Sequence, residues 1–237
     1  MNIALLMAGG VGSRMKADRP KQFIEVMGKP VIAYTIEKFE NHPEIDQIAV
    51  VCVATHIAEL QAIVETYGFK KVTCIVPGGD TYQESSLCGL EALRSLCAPD
   101  DIVVMHNAAS PIVGADLISD SIRVAKEHDN AISLQDTILC MGRKTPGAEY
   151  TDESIDRDTL ATLNTPESMK FSYYDGLYRR AEESGVLQTC EPHITSLVYA
   201  MGDRMYFSKG STLNIKLTTQ DDLMFFKAYL IAQSMED

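Results

Sequence analysis

The chain has 237 residues, 46% of them hydrophobic, and a formal net charge of −12. A chain of this length can bury one substantial core, and no apolar run is long enough to span a bilayer. The acidic balance argues against a surface for nucleic acid or anionic membrane, and any polyanionic ligand must be met by a local cationic pocket.

The first apolar run, Asn2 to Met7, lacks the basic flank and cleavage site of a signal peptide. None of the six cysteines is paired as C-x-x-C, and none has zinc spacing with a histidine. They read as small buried groups in a reducing compartment, so the expected location is the cytoplasm.

In chain order, Asn2 to Met7 reads as a buried strand. It empties into Ala8-Gly9-Gly10-Val11-Gly12-Ser13-Arg14-Met15 and then Arg19-Pro20-Lys21-Gln22-Phe23. Glycines let the backbone approach a phosphate closely, and successive N–H groups form an anion cradle. Arg14 and Lys21 add positive charge, and Pro20 fixes its own φ just before Lys21. The dinucleotide fingerprint G-x-G-x-x-G fails, because Met15 stands where its third glycine belongs, and with it fails an NAD-dependent dehydrogenase. The P-loop pattern fails too, since Gly28-Lys29 runs into Pro30.

After Pro30 the spacing of Ile32, Ile36 and Phe39 predicts a helix over 31–39. Gln47 to Val53 is a continuous apolar run, as in a parallel strand covered on both faces. Ile57, Leu60 and Val64 mark a helix, 71–76 a strand, 81–96 a helix, 101–106 a strand, 116–127 a helix and 131–134 a strand. This alternation predicts an α/β chain with a doubly wound, mostly parallel twisted sheet. Ligands sit beyond the carboxyl ends of such strands. The polar clusters fall there: the first glycine loop, Pro77-Gly78-Gly79-Asp80, and His106-Asn107-Ala108-Ala109-Ser110-Pro111.

From Ile138 to about Leu160 the pattern breaks. The segment is either a disordered loop or an excursion used for subunit pairing. A helix over 173–184, a strand near 196–200 and an apolar strand over 213–219 follow. Lys216 inside that last strand would need an anionic partner. The final helix is expected over 220–235, started by a capping box of Thr219 and Asp222.

The run A-G-G-x-G-x-R-M followed by P-K-Q-F resembles the sugar and polyol phosphate nucleotidyltransferases, and more narrowly the cytidylyltransferases acting on methylerythritol phosphate and ribitol phosphate. Asn214-Ile215-Lys216-Leu217-Thr218-Thr219 with Asp222-Leu223 matches that branch's N-I-K-x-T-T-x-x-D-L. The resemblance implies a Rossmann-like nucleotidyltransferase fold spanning 1–237 as one domain. It implies transfer of CMP from CTP to a phosphorylated polyol, with Mg²⁺ or another divalent cation. It also implies a homodimer clasped by a β-arm at about 138–160.

Carried over residue by residue, the resemblance makes Arg14 and Lys21 catalytic. Nucleotide contacts fall to Met7, Ala8, Gly9, Gly10, Val11, Gly12, Ser13, Gly79, Asp80, Ser85 and Asn107. Acceptor contacts fall to Ser110, Thr137, Arg157 and Lys216. Asn107 and Ser110 stand where the relatives carry the Asp and Arg of H-D-A-x-R-P. Asn107 is then a weaker ligand for a hard cation, and Ser110 cannot make the two-pronged contact of an arginine. Tyr82 stands where an arginine is common, and Glu167 replaces the glutamine of T-P-Q. His106 reads as structural. The departures favour ribitol 5-phosphate, a glycerol phosphate or another alditol phosphate as acceptor. Methylerythritol phosphate is the alternative, as is a nucleotide-binding module without turnover.

Overall fold

The computed structural model describes residues 1–10 and 19–235. Val11, Gly12, Ser13 and Arg14 therefore lie outside the described residues.

The elements follow the alternation of the sequence. β1 (Asn2–Ala8) is buried along its whole length. A short hairpin of β2 (Glu25–Val26) and β3 (Lys29–Pro30) leads into α1 (Val31–Glu40). β4 (Gln47–Cys52), α2 (Ile57–Tyr67), β5 (Val72–Pro77), α3 (Tyr82–Leu93), β6 (Ile102–Asn107), α4 (Ala115–His128) and β7 (Asn130–Asp136) follow. A second small hairpin pairs β8 (Met141–Gly142) with β9 (Ser154–Ile155). β10 (Ala161–Lys170), α5 (Phe171–Glu183), α6 (Ile194–Ala200), β11 (Phe207–Lys209) and α7 (Gln220–Gln233) complete the chain.

Seven strands form one sheet in the order β11-β7-β10-β6-β1-β4-β5. Among the described residues of this sheet only β10 runs antiparallel to its neighbours, β6 and β7. The alternation of side chains along the strands divides the core into two layers. Ala4, Leu6, Ile48, Val50 and Val104 face one side, under α1, α2 and α4. Ile3, Leu5, Val51, Met105, Ile132 and Met169 face the other, under α3, α5 and α6. A third cluster packs Phe226 of α7 against Val26, Val31, Ala109 and Leu217.

Two segments differ from the sequence-based expectation. Residues 194–200 form a helix, not a strand: Ile194, Leu197 and Val198 are buried at helical spacing, a pattern a short apolar run conceals. Residues 213–219 are irregular. Leu213, Ile215 and Leu217 alternate, but this stretch runs past the end of β6 and the middle of β10 and pairs with no strand among the described residues. Instead Leu217 N–H donates to the Ala109 carbonyl, and the Asn214 side chain donates to the Thr165 carbonyl. β10 itself was not foreseen. The helix after it starts at Phe171, and α7 begins with the expected capping box, in which Thr219 and Asp222 bond each other's backbone N–H.

Candidate active site

The carboxyl ends of β1, β4, β5 and β6 open into a cavity of about 600 Å³. Its walls include Met7, Gly9 and Gly10 after β1, Val53 and Ala54 after β4, Gly78, Gly79 and Asp80 after β5, and Asn107 at the end of β6. This is where an open α/β sheet binds its ligands.

Two glycine turns close around one hydroxyl. A Cβ on Gly9 would lie 2.8 Å from Ser85 Oγ, and one on Gly78 would lie 2.7 Å from it. A side chain at either turn would displace the Ser85 hydroxyl from its present position. Ser85 sits in the first turn of α3, and its hydroxyl donates to the Gly79 carbonyl at 3.3 Å. The start of α3 is fixed by a capping box between Thr81 and Glu84. Glu84 Oε2 accepts from both Asp80 N–H and Thr81 N–H, so its carboxylate is committed to the helix start and does not reach the cavity as a ligand.

Lys21 reaches the same cavity from a 3₁₀ turn over Lys21–Phe23, entered through Pro20 at φ −59°. Phe23 anchors that turn in the core, and Lys21 is nine-tenths buried. Gln22 ties the turn to the glycine loop: its amide nitrogen donates to the carbonyls of Ala8 (2.6 Å) and Gly10 (3.1 Å). Lys216 also lines this cavity, with its ammonium 6.0 Å from the centre of the Tyr82 ring. A buried or half-buried ammonium is stabilised by anions, and in a chain of net charge −12 these two cations mark where an anionic ligand is favoured.

A second cavity of about 360 Å³ adjoins the first, sharing Tyr82, Asn107, His193 and Lys216 with it. Its further walls come from β10 and α6, including Glu167 and Thr195. Asn107 stands between the two spaces, and its Nδ2 donates to Thr165 Oγ1 at 3.3 Å. Burial pushes the Glu167 carboxyl up to about 7, against the opposing hydrogen bond from Thr195 Oγ1 at 2.6 Å. The Tyr82 ring lies 5.4 Å from the imidazole of His193, and burial holds its phenol well above the ordinary value.

The sequence-derived residues are thus distributed unevenly. Met7, Gly9, Gly10, Lys21, Gly79, Asp80, Ser85, Asn107 and Lys216 all line the main cavity. Ala8 closes β1 beside it and is buried. Ser110 is not brought to either cavity. Its side chain is fully buried and its hydroxyl has no partner among the described residues, while its carbonyl accepts from His106 Nε2 at 2.9 Å. His106 is structural: the carbonyl partner requires the proton on Nε2, the ring packs 5.3 Å from Phe39, and burial pulls it down to about 4. Thr137 and Arg157 lie at the base of the β8–β9 hairpin and line neither cavity; Arg157 Nη1 donates to the Ile138 carbonyl.

Sequence reasoning gave no role to Gln22, His193 or Thr195, placed Gly78 only within the glycine cluster after the third strand, and noted Tyr82 and Glu167 as departures. Gln22 follows Lys21 directly, and Gly78 precedes Gly79, so both were within reach of the motifs. The others meet only through the tertiary crossing of α3, β10 and α6.

The sequence profile of the IspD family, 2-C-methyl-D-erythritol 4-phosphate cytidylyltransferase, matches residues 2–232. A ribitol-5-phosphate cytidylyltransferase of Lacticaseibacillus paracasei is 37% identical over 231 residues, covering 97% of this chain and 98% of that protein. A 2-C-methyl-D-erythritol 4-phosphate cytidylyltransferase of Clostridium acetobutylicum is 36% identical over 240 residues and covers both chains completely. Among solved structures, a 4-diphosphocytidyl-2C-methyl-D-erythritol synthase of Anaerococcus prevotii superposes with a TM-score of 0.78 at 22% identity, covering 97% of this chain and 98% of that one. The 2-C-methyl-D-erythritol 4-phosphate cytidylyltransferase of Thermus thermophilus superposes at 0.74 and 20% identity, with the same coverage. These two share the Rossmann-like, mostly parallel sheet described above. The chain belongs to the IspD family and is a cytidylyltransferase, one of the nucleotidyltransferases.

Proposed function

We propose that this cytidylyltransferase transfers CMP from CTP to an alditol phosphate, ribitol 5-phosphate or a glycerol phosphate first among them, and releases pyrophosphate. The observation that carries the reading is that two lysines, Lys21 and Lys216, line one cavity whose walls include the glycine turns after β1 and β5. The glycine loop holds the triphosphate. Lys21, with Arg14, stabilises the charge that builds on the α-phosphoryl oxygens and the departing pyrophosphate. Lys216 holds the acceptor phosphate, one oxygen of which attacks the α-phosphorus in line as the bond to pyrophosphate breaks. No covalent enzyme intermediate is needed, and catalysis is positioning plus charge stabilisation.

The donors around the cavity fit a divalent cation of the kind that keeps most of its waters. Asn107 lines the cavity with a neutral amide oxygen and Glu84 is committed to its capping box, so such a cation would be held chiefly by the substrate phosphates and its own waters. Magnesium held there with the substrate phosphates would screen the triphosphate charge.

The β8–β9 hairpin is the proposed dimerisation arm. It is flanked by the strongly exposed Ile138, Leu139 and Tyr150, apolar surface that a second copy would cover. In that dimer Thr137 and Arg157 would serve the partner's acceptor site. The six unbonded cysteines favour a cytoplasmic location. Among the described residues no helix is long and apolar enough to cross a membrane.

The test is pyrophosphate release with CTP and Mg²⁺ over ribitol 5-phosphate, both glycerol phosphates, arabinitol and mannitol phosphates, and methylerythritol phosphate. One strong alditol phosphate acceptor is expected. Preference for methylerythritol phosphate would move the protein to the other branch, and bound CTP without any turnover would point to a binding module.

A further inference from the structure

Glu167 is a carboxyl in an apolar layer. In β10 it sits opposite Met105 of β6 and Ile132 of β7, so its side chain projects to the sheet face under α3, α5 and α6. It is 4% exposed. Among the described residues its carboxyl takes one hydrogen bond, at Oε1 from Thr195 Oγ1 of α6. Buried carboxyls are costly unless their oxygens find donors. Oε2 is left for a donor that enters the second cavity, which Glu167 lines together with Lys216 and Asn107.

We infer that Glu167 is a specificity-determining residue, whose carboxyl bonds a hydroxyl of the acceptor's carbon chain while Lys216 holds the phosphate of the same molecule. The inference rests on the function proposed above. The placement supports it: Lys216 and Asn107 line both spaces, so a phosphate at Lys216 leaves its carbon chain free to extend along β10. Thr195 fixes the carboxyl's rotamer through Oε1, so Oε2 presents one defined direction rather than a mobile charge. A hydroxyl both donates and accepts, and it suits a carboxyl that is partly protonated near neutrality. Burial pushes the group to about 7, where it offers either an acceptor oxygen or an O–H donor. Glutamine reproduces that neutral donor–acceptor pair; alanine removes it.

The experiment measures KM for the accepted alditol phosphate, KM for CTP and kcat in wild type, Glu167→Ala and Glu167→Gln. It then repeats them with analogues lacking one hydroxyl at a time. Alanine is expected to raise the acceptor KM about tenfold or more, with KM for CTP within about twofold and Gln closer to wild type than Ala. One deoxy analogue should be disfavoured about tenfold or more by the wild type and no longer by Glu167→Ala. An acceptor KM in Glu167→Ala equal to wild type, with turnover intact, overturns the inference alone. So does a wild type that distinguishes no deoxy position, an observation that needs no variant to fold. Turnover only with phosphorylated amino alcohols would assign the carboxyl to an ammonium instead and overturn it as well. Absence of turnover with every phosphorylated alcohol overturns the proposed function and the inference with it.

Discussion

At the ends of β1 and β5 the cavity wall is glycine turn, drawn so close to α3 that a single methyl would strike Ser85 Oγ. Along β6 and β10 the wall is side chain: Asn107, Thr165, Glu167 and Lys216, held by an irregular segment and by one antiparallel strand in a parallel sheet. Backbone N–H groups recognise any phosphate at that distance, so the first wall suits the invariant part of a nucleotidyl transfer. Side chains can be exchanged one at a time without moving the sheet, so the second wall is where acceptor choice resides.

The sharpest break of this comparison is Lys21→Ala. If the β1 wall supplies transition-state charge stabilisation, kcat should fall about 10²- to 10³-fold while CTP affinity, measured by calorimetry, falls far less. A kcat near wild type would remove Lys21 from the chemistry.

The second test sets two buried groups against each other. His106 is depressed to about 4 from 6.5, so unfolded chains bind its proton first; its contribution is complete above pH 6.5 and is lost as pH falls toward 4. Glu167 is raised to about 7 from 4.5, so the native state binds its proton first; its contribution is complete below pH 4.5 and is lost as pH rises through 7. Each spans about 3 kcal/mol, with opposite sign in overlapping windows. Wild-type unfolding free energy should therefore change little between pH 7 and 5, whereas Glu167→Gln should lose about 2 kcal/mol or more over that range. Parallel urea titration curves for the two proteins would show that the opposition does not exist.

Lys216→Gln should raise the acceptor KM about tenfold with a smaller change in the KM for CTP. An effect mainly on CTP would move Lys216 to the nucleotide wall and blur the division. The smallest effect is expected at Gly9. Gly9→Ala forces Ser85 Oγ aside and should raise the KM for CTP a few-fold, whereas the same change in a Ser85→Ala background should add little.

The two walls were also unequally legible. β1, β4 and β6 are near-continuous apolar runs, and β1 and β5 empty into the glycine pairs Gly9-Gly10 and Gly78-Gly79, so the nucleotide wall could be read almost residue by residue. β10 reads as Ala-Thr-Leu-Asn-Thr-Pro-Glu-Ser-Met-Lys. Its buried positions include Thr165, Glu167 and Ser168, so neither a hydrophobic run nor an alternation announces a strand. Polar residues become interior there because the cavity, α6 and α4 supply partners: Thr195 for Glu167, Ser121 for Ser168. For the same reason the roles of Tyr82 and Glu167 stayed hidden although both positions were noticed. The 213–219 segment misled in the other direction, its alternation reflecting contacts with Ala109 and α7 rather than a sheet.

Gln22 has a mechanical consequence. Its amide nitrogen grips the Ala8 and Gly10 carbonyls, 14 and 12 residues earlier in the chain. The amide thereby clasps the carboxyl end of β1 to the turn that carries Lys21, so the lysine is returned to the same address beside the cavity.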